Sequence, residues 1–148
     1  MKLLAERRRA YHDFEILETY EAGISLKGWE VKSIKAGNFS IEEAWVDNIN
    51  GELYIIDMHV SPYQGVISGV EKVDPKRPKK LLLHKHEISK IIGKMTLKRL
   101  TVIPLKVYIK NRWIKVLIAV VRGKKKYEKR EKIKKKMQEK EIKKYIWK

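Results

Sequence analysis

Short stretches of the chain alternate apolar and polar residues, which is typical of strands that have one buried face. Phe14 to Tyr20 alternates in this way. Ala22-Gly23 comes next and predicts a turn, after which Ile24 to Lys27 predicts a second short strand that stops at Gly28. We therefore expect the first part of the chain to form a pair of strands.

Two further pairs of strands are predicted later in the chain. Residues 44–60 contain Asn50-Gly51, the dipeptide most typical of a two-residue hairpin turn, between two strand-like segments. Residues 101–121 predict another hairpin. Its second strand is apolar on both faces from Val116 to Val121, so we expect that strand to be central or covered by a helix.

Helices and a long loop are predicted between these pairs. Trp29 to Ala36 has a helical spacing of apolar residues, and Gly37 follows as a C-terminal cap. Ser61 to Lys80 is rich in Pro and Gly and predicts a loop whose last residues are basic. A second helix is predicted by an apolar stripe that consists of Ile88, Ile91, Ile92 and Met95.

Six strands in three successive pairs, with two or three helices between them, predict a mainly β fold. The best match is an antiparallel β-barrel of the oligonucleotide-binding (OB) type, because closing a sheet into a barrel removes its exposed edges. We expect this barrel to span residues 1–121 and a basic C-terminal tail to span residues 122–148.

The composition favours a nucleic-acid partner. The chain has 148 residues, a length suited to one domain, and a formal net charge of +17. It has no cysteine, which excludes disulfides and thiolate metal sites. No apolar run approaches the roughly twenty residues of a membrane helix, and the N-terminus lacks the apolar core of a signal peptide. We therefore expect a cytoplasmic protein with no membrane partner.

Candidate catalytic and metal-binding groups are few. His84, His86 and Glu87 resemble a metal cluster, but residues two apart diverge on a helix and the sequence places no further ligand within reach. No carboxylate pair is placed for acid–base work, and neither a phosphate-binding glycine-rich loop nor a nucleophile motif occurs. We expect no metal, no cofactor and no enzymatic activity.

The segment Arg122 to Lys148 is the most basic part of the chain. It contains fourteen Lys and Arg residues against four Glu. Three Glu–Lys pairs at i, i+4 spacing favour a helix, whereas neighbouring lysines repel one another. We expect the tail to be disordered when free and helical where RNA phosphates remove that repulsion. Its aromatic residues Tyr127, Tyr145 and Trp147 suit stacking on bases, although Tyr145 and Trp147 could instead dock on the body.

Several blocks of this sequence together form a specific pattern. The longest block runs from Ala22 to Gly37 and contains Leu-Lys-Gly-Trp-Glu-Val-Lys-Ser-Ile-Lys-Ala-Gly. The other blocks are His12 to Phe14, Ile56 to Tyr63, Asp74 to Arg77, Lys80 to Leu83, Arg122 to Lys125 and Tyr127 to Arg130. In content and order these blocks resemble the SmpB (small protein B) family of bacterial tmRNA-binding proteins, and the resemblance covers nearly the whole chain.

The resemblance implies an OB-type adaptor of trans-translation. Such a protein binds the tRNA-like domain of tmRNA and delivers alanyl-tmRNA to ribosomes stalled on mRNA without a stop codon. Its tail is implied to pass the decoding centre and enter the empty mRNA channel. We expect a monomer. The body residues assigned to RNA are Glu21, Ala22, Gly23, Glu30, Val31, Lys32, Lys76, Arg77, Lys80, Leu82 and His84. The tail residues assigned to RNA and the ribosome are Lys124, Lys125, Tyr127, Lys129 and Arg130.

Some alternatives stay open at the level of sequence. The carboxylate of Glu30 either contacts a base edge or a 2′-OH, or forms a structural ion pair with Lys32 or Lys35. Arg7 stands where the family usually has Asn, which leaves the N-terminal contact open. A barrel with a basic tail also fits a structural ribosomal protein or a general single-stranded RNA-binding module.

Overall fold

The computed structural model describes residues 1–63 and 73–123 of the chain. These residues form nine strands and three helices, and the mainly β, antiparallel architecture confirms the predicted fold class. The elements in chain order are β1 (Lys2–Glu6), α1 (Ala10–Asp13), β2 (Phe14–Ile24), α2 (Gly28–Lys35), β3 (Phe39–Ser40), β4 (Trp45–Ile49), β5 (Glu52–Ile56), β6 (His59–Val60), β7 (Lys79–Leu82), α3 (Lys85–Leu97), β8 (Thr101–Lys110) and β9 (Trp113–Gly123).

Seven of these strands form one curved sheet, in the order β1-β8-β9-β2-β7-β5-β4, and β3 pairs with β6 beside it. The sheet is OB-like but does not close into the expected barrel. Strand β8 pairs with β9 along one edge and with β1 along residues 106–109 of the other, and β4 contacts β8 without pairing with it. The Arg7 guanidinium bridges this gap by donating a hydrogen bond to the Ala44 carbonyl at 2.8 Å.

Strand β9 lies in the middle of the sheet, between β8 and β2, which confirms the prediction from its apolar run. Because β9 is covered on both sides, it contributes to two apolar clusters. The main cluster includes Val116, Ile118 and Val120 together with residues from α2, α3 and most of the strands. A smaller cluster on the opposite side includes Ala119 and Val121 and is covered by α1.

The predicted turn at Ala22-Gly23 is wrong, because β2 is one continuous strand from Phe14 to Ile24. Ala22 faces the main cluster and Gly23 pairs with its neighbours like any other strand residue. A Cβ atom on Gly23 would lie 3.2 Å from the Cβ of Leu82, so glycine is used here for the close approach of β7 rather than for a turn.

The other local predictions are largely confirmed. Helix α2 ends as expected: Gly37 has a φ of +83°, and the amides of Gly37 and Asn38 bond to the last helical carbonyls. Both later hairpins are present, with the pairs Ile49–Glu52 and Lys110–Trp113 closing their turns. The predicted loop 61–80 ends earlier than expected, because β7 begins at Lys79, and its residues 64–72 lie outside the described residues.

Candidate nucleic-acid interface

A row of residues crosses five strands on the side of the sheet away from the main cluster. In register, it consists of Leu3 in β1, Tyr108 in β8, Lys115 in β9, Gly23 in β2 and Leu82 in β7. Leu3 and Leu82 at its two ends are exposed, Leu82 by 51%. We call the surface around this row the open face. Its strands are fixed by the core beneath them, which gives a preformed surface to a large ligand.

Glu21 lies beside this row and binds two side chains from β8. Its Oε2 accepts a hydrogen bond from the Tyr108 hydroxyl at 2.5 Å, and the Lys110 ammonium lies 3.4 Å from both carboxylate oxygens. The hydrogen bond from Tyr108 holds the pKa of Glu21 below its ordinary value, and Lys110 and Lys115 act in the same direction. Glu21 is therefore ionised at neutral pH and positions Lys110 at the edge of the open face.

Strand β7 places Lys80 and Leu82 next to β2. Leu82 packs on Gly23. The resemblance to the family assigns both residues to one surface, and the structure places them side by side. Lys80 is half-buried and pairs with Glu52 at 3.4 Å, so part of its charge is already neutralised. Ala22 is fully buried in the main cluster and cannot present its side chain to RNA. It holds β2 in place for its neighbours.

Glu30, also assigned to RNA, is at the centre of a buried ionic cluster with Arg77 and Lys79. Arg77 donates to both carboxylate oxygens, from Nη2 at 2.5 Å and from Nε at 3.0 Å. The amide of Lys27 donates to Oε1 at 2.7 Å, which also caps the start of α2. The Lys79 ammonium lies 3.9 Å from Oε2 and donates to the carbonyls of Arg77 and Met58.

This geometry supports the structural interpretation of Glu30, but with other partners than Lys32 and Lys35. Glu30 and Lys79 both have an exposed fraction of 0%. Burial alone would raise the pKa of Glu30, but the hydrogen bonds from Arg77 and the Lys27 amide outweigh it, and the pKa lies below its ordinary value. Burial lowers the pKa of Lys79 to about 8. The cluster ties α2 to the segment before β7.

Two further body residues lie on exposed surface near α2. The Lys32 ammonium is 5.0 Å from the centre of the Tyr63 ring, a cation–π contact that leaves the lysine exposed. Lys76 is exposed in a turn that begins at Asp74, whose carboxylate accepts the Lys76 amide at 2.9 Å. Val31 is half-buried and packs against the main cluster. The exposed cations here do not belong to the row on the open face.

His84 is exposed at the start of α3, where the Glu87 carboxylate accepts its backbone amide at 3.2 Å. Its ring stacks on His86 with the centroids 5.7 Å apart. Glu87 therefore caps the helix. In the part of the chain that the structure describes, no three His, Asp or Glu side chains are grouped to hold a metal ion. Within the same ranges, no helix is long and apolar enough to cross a membrane.

Four residues of the open face were missed at the sequence level: Tyr108, Lys110, Trp113 and Lys115. Lys115 was the most visible of them, because it is the single cation in the otherwise apolar run from Trp113 to Val121. The others could not be assigned, since only the pairing of β8 with β9 and of β9 with β2 brings them to Gly23 and Glu21. The tail residues assigned to RNA lie outside the described residues: Lys124, Lys125, Tyr127, Lys129 and Arg130.

The expected boundary between body and tail needs a small correction. Strand β9 continues past Val121 to Gly123, and Gly123 pairs with Phe14. Arg122 also belongs to this strand and pairs with Glu15, both through the ladder and by a 3.2 Å contact between side chains. A truncation that leaves the sheet intact must therefore end at Gly123.

The sequence is similar to known proteins over almost its full length. A family model described as "SmpB protein" matches residues 4–148. An SsrA-binding protein of Coprothermobacter proteolyticus is 51% identical over 143 residues, which are 96% of this chain and 95% of the relative. One from Caldicellulosiruptor bescii is 49% identical over 144 residues, which are 97% of this chain and 90% of the relative.

The fold comparison agrees with the sequence comparison. A chain from a solved structure, described as "tmRNA-SmpB: a journey to the center of the bacterial ribosome", superposes with a TM-score of 0.65 and 49% sequence identity. The superposition covers 81% of this chain and 83% of that chain.

A third relative from the sequence comparison, an SsrA-binding protein of Thermus thermophilus, is also 49% identical, over 91% of this chain and 93% of the relative.

Proposed function

The chain belongs to the SmpB family, and we propose that it binds the tRNA-like domain of tmRNA and delivers alanyl-tmRNA to stalled ribosomes. The observation that carries the proposal is the open face, where Gly23 pairs with Leu82 of β7 on one side and with Lys115 of β9 on the other. Gly23 and Leu82 both come from family-like blocks. Relatives whose sequences are about 50% identical to this chain are named SsrA-binding proteins. The protein acts as a non-enzymatic, monomeric adaptor in the cytoplasm and needs no cofactor.

The open face is better suited to binding a folded RNA arm by its shape than to reading individual base edges. Folded RNA is recognised mainly by shape, through contacts to phosphates and 2′-OH groups, and this needs cations on a rigid surface. Lys110 and Lys115 supply such charges, and Glu21 restricts the position of Lys110. Leu82 supplies an exposed apolar contact on the same surface.

The basic tail has a separate role in this proposal. It enters the empty mRNA channel beyond the decoding centre and reports that no mRNA is present. The family match extends to Lys148 and therefore includes the tail. The thirteen Lys and Arg residues of 124–148 are suited to a channel lined with phosphates, whereas Tyr127 near the start of the tail is suited to stacking on a base.

Binding of the tRNA-like domain is tested with the full chain and with Lys115→Ala. We expect the full chain to prefer the tRNA-like domain over an unpaired RNA of equal length. Lys115→Ala should weaken binding and reduce the slope of log K against log salt by about 0.7–0.9, because one phosphate contact is lost. Lys98→Ala is the matched control, since Lys98 is exposed at the end of α3 and away from the open face.

The alternatives give other results in these assays. A general single-strand binder would prefer the unpaired RNA, and a structural ribosomal protein would co-purify stoichiometrically with a subunit. The tail is tested by ending the chain at Gly123. We expect this truncation to keep its preference for the tRNA-like domain and to lose alanine transfer on ribosomes with a truncated mRNA. Normal transfer without residues 124–148 would contradict the role of the tail.

A further inference from the structure

The turn of the β8–β9 hairpin holds a large aromatic side chain and a cation in solvent. Asn111 and Arg112 form the two-residue turn, with φ values of +50° and +72°. Trp113 follows directly and is 69% exposed, the highest exposed fraction of any Trp in the described residues. It pairs across the hairpin with Lys110, so these two side chains lie on the same side of the sheet. We call residues 110–113 the β8–β9 tip.

Arg112 occupies a backbone conformation that its side chain disfavours. A two-residue turn with positive φ at both positions prefers Asn followed by Gly, because a Cβ crowds the backbone in this region. The chain uses that preferred pair in its other hairpin, where Asn50 and Gly51 have φ values of +53° and +83°. The β8–β9 tip has the same backbone geometry with Arg in the glycine position. Arg99 after α3 also has a positive φ, of +54°, so the strain supports a function at Arg112 only together with its neighbours Lys110 and Trp113.

The charge around Trp113 distinguishes it from Trp45, the other exposed Trp in the described residues, which lies at the start of the β4–β5 hairpin. Trp45 is 38% exposed. Residues 36–71 contain no Lys or Arg, and the acids that precede Trp45 in sequence are Glu42 and Glu43. The cation beside it, Arg7, is bonded to the Ala44 carbonyl and faces these two acids. Trp113, in contrast, is preceded by Arg112, faces Lys110, and is followed on the same side of its strand by Lys115. An aromatic ring among cations is the combination that binds unpaired bases and their phosphates.

From these observations we propose that the β8–β9 tip is a base-stacking site, in which Trp113 stacks on an unpaired base and Arg112 and Lys110 contact the flanking phosphates. Trp113 lies two residues before Lys115 on the same side of β9, so the stacked base belongs to the RNA held on the open face. This inference rests on the proposed function, and it adds that the β8–β9 tip recognises one unpaired nucleotide beside the folded RNA arm.

The experiment measures binding of the isolated tRNA-like domain of tmRNA by the full chain. Trp113→Ala should lower the affinity roughly 5- to 150-fold, the range found when a stacked base loses its aromatic partner. Trp113→Phe should retain part of it. Trp45→Ala, the matched change in the other hairpin, should leave the affinity unchanged. With Trp29, Trp45 and Trp147 replaced by Phe, the emission of Trp113 should be quenched when the RNA binds.

Arg112→Gly provides a readout that a merely structural role would not give. Because Gly relieves the positive-φ strain, this variant should raise Tm by about 2–5 °C. It should at the same time bind the RNA more weakly, with a salt slope lower by about 0.7–0.9. A variant that is more stable and binds less well cannot be explained by damage to the fold.

The outcomes separate this inference from the proposed function. If the unaltered chain binds the tRNA-like domain while Trp113→Ala binds it equally well, or the Trp113 emission is unchanged, the stacking site is wrong and the proposed function stands. An effect of Trp113→Ala on ribosome binding alone would overturn the assignment to this RNA. If the unaltered chain shows no preference for the tRNA-like domain, the proposed function fails first.

Discussion

Glu21 and Glu30 are nine residues apart, the first directly before a family-like block and the second within it, yet the fold gives them opposite surroundings. Glu21 is exposed and holds Tyr108 and Lys110 at the edge of the open face. Glu30 is fully buried and is held by Arg77 and Lys79. The same type of side chain therefore organises a binding surface in one place and joins two segments of the body in the other.

This comparison shows that a shared block does not imply a shared role. A surface ion pair contributes little to stability, because water and salt screen it. Breaking a buried pair is costly, because the remaining charge has lost both its partner and its water. We therefore expect changes at Glu30 to act on the free energy of unfolding and changes at Glu21 to act on the surface. Each of the three predictions below tests one side of this difference.

The largest effect is expected for Glu30→Gln. This variant removes the negative charge that compensates Arg77 and the fully buried Lys79, and we expect it to lower the free energy of unfolding by about 3 kcal/mol. Urea unfolding at neutral pH measures the loss. RNA affinity, measured on the folded protein at low temperature, should change much less than stability. Unchanged stability together with weakened RNA binding would instead favour a direct RNA contact by Glu30.

The second prediction concerns the pH dependence that Lys79 causes. Its pKa is about 8 in the folded chain and about 10.5 in the unfolded chain. Between pH 8 and pH 10.5 Lys79 is protonated in the unfolded chain but largely deprotonated in the folded chain. The unfolded chain therefore binds more protons than the folded chain, and the free energy of unfolding rises with pH in this range. We expect Lys79 to contribute a rise of about 2 kcal/mol between pH 7 and pH 9.5.

The variant Lys79→Met tests this by comparison with the unaltered chain. Met should remove the rise, so the difference in unfolding free energy between the two proteins should change by that amount across the window. The measurement stops at pH 9.5 because burial raises the pKa of Tyr20 to about 12, and its stabilising effect declines above pH 10. Parallel pH profiles for the two proteins would mean that Lys79 titrates at its ordinary pKa.

The smallest effect is expected for Glu21→Gln. Gln keeps an acceptor for the Tyr108 hydroxyl and loses only the attraction to Lys110, which is exposed. We expect the free energy of unfolding to change by less than about 1 kcal/mol. Thermal unfolding of Glu21→Gln and Glu30→Gln under the same conditions measures the difference between their losses of stability. Equal losses for the two variants would contradict the distinction between the exposed and the buried cluster.

Little of the candidate interface could be assigned residue by residue from the sequence. Gly23 and Leu82 were assigned to one surface, and the structure places them in contact. Glu30 and Ala22 were assigned to the same surface but are buried. The sequence offers no sign of this difference, because an ion pair between Glu30 and Arg77 joins residues 47 positions apart and its burial depends on how the chain folds between them.

The sequence by itself determined the elements whose signals are local. Turn chemistry at Asn50-Gly51, the apolar stripe of α3 and the cap at Gly37 each depend on residues within a few positions, and all three are present as predicted. The family membership also follows from the sequence alone, because the matching blocks are continuous segments. Local hydrogen bonding and periodicity are sufficient for statements of this kind.

Only the tertiary structure decided which strands pair outside the two predicted hairpins and which side chains meet. Strand β1 pairs with β8 across about a hundred residues, and β4 contacts β8 without pairing with it, so the barrel stays open. Glycine is typical of turns, but Gly23 lies in a strand, where the close approach of Leu82 leaves little room for a side chain. The register of β2, β8 and β9 also brings Glu21, Tyr108 and Lys115 to one surface. Such contacts depend on the packing of distant segments, which the spacing of residues along the chain does not encode.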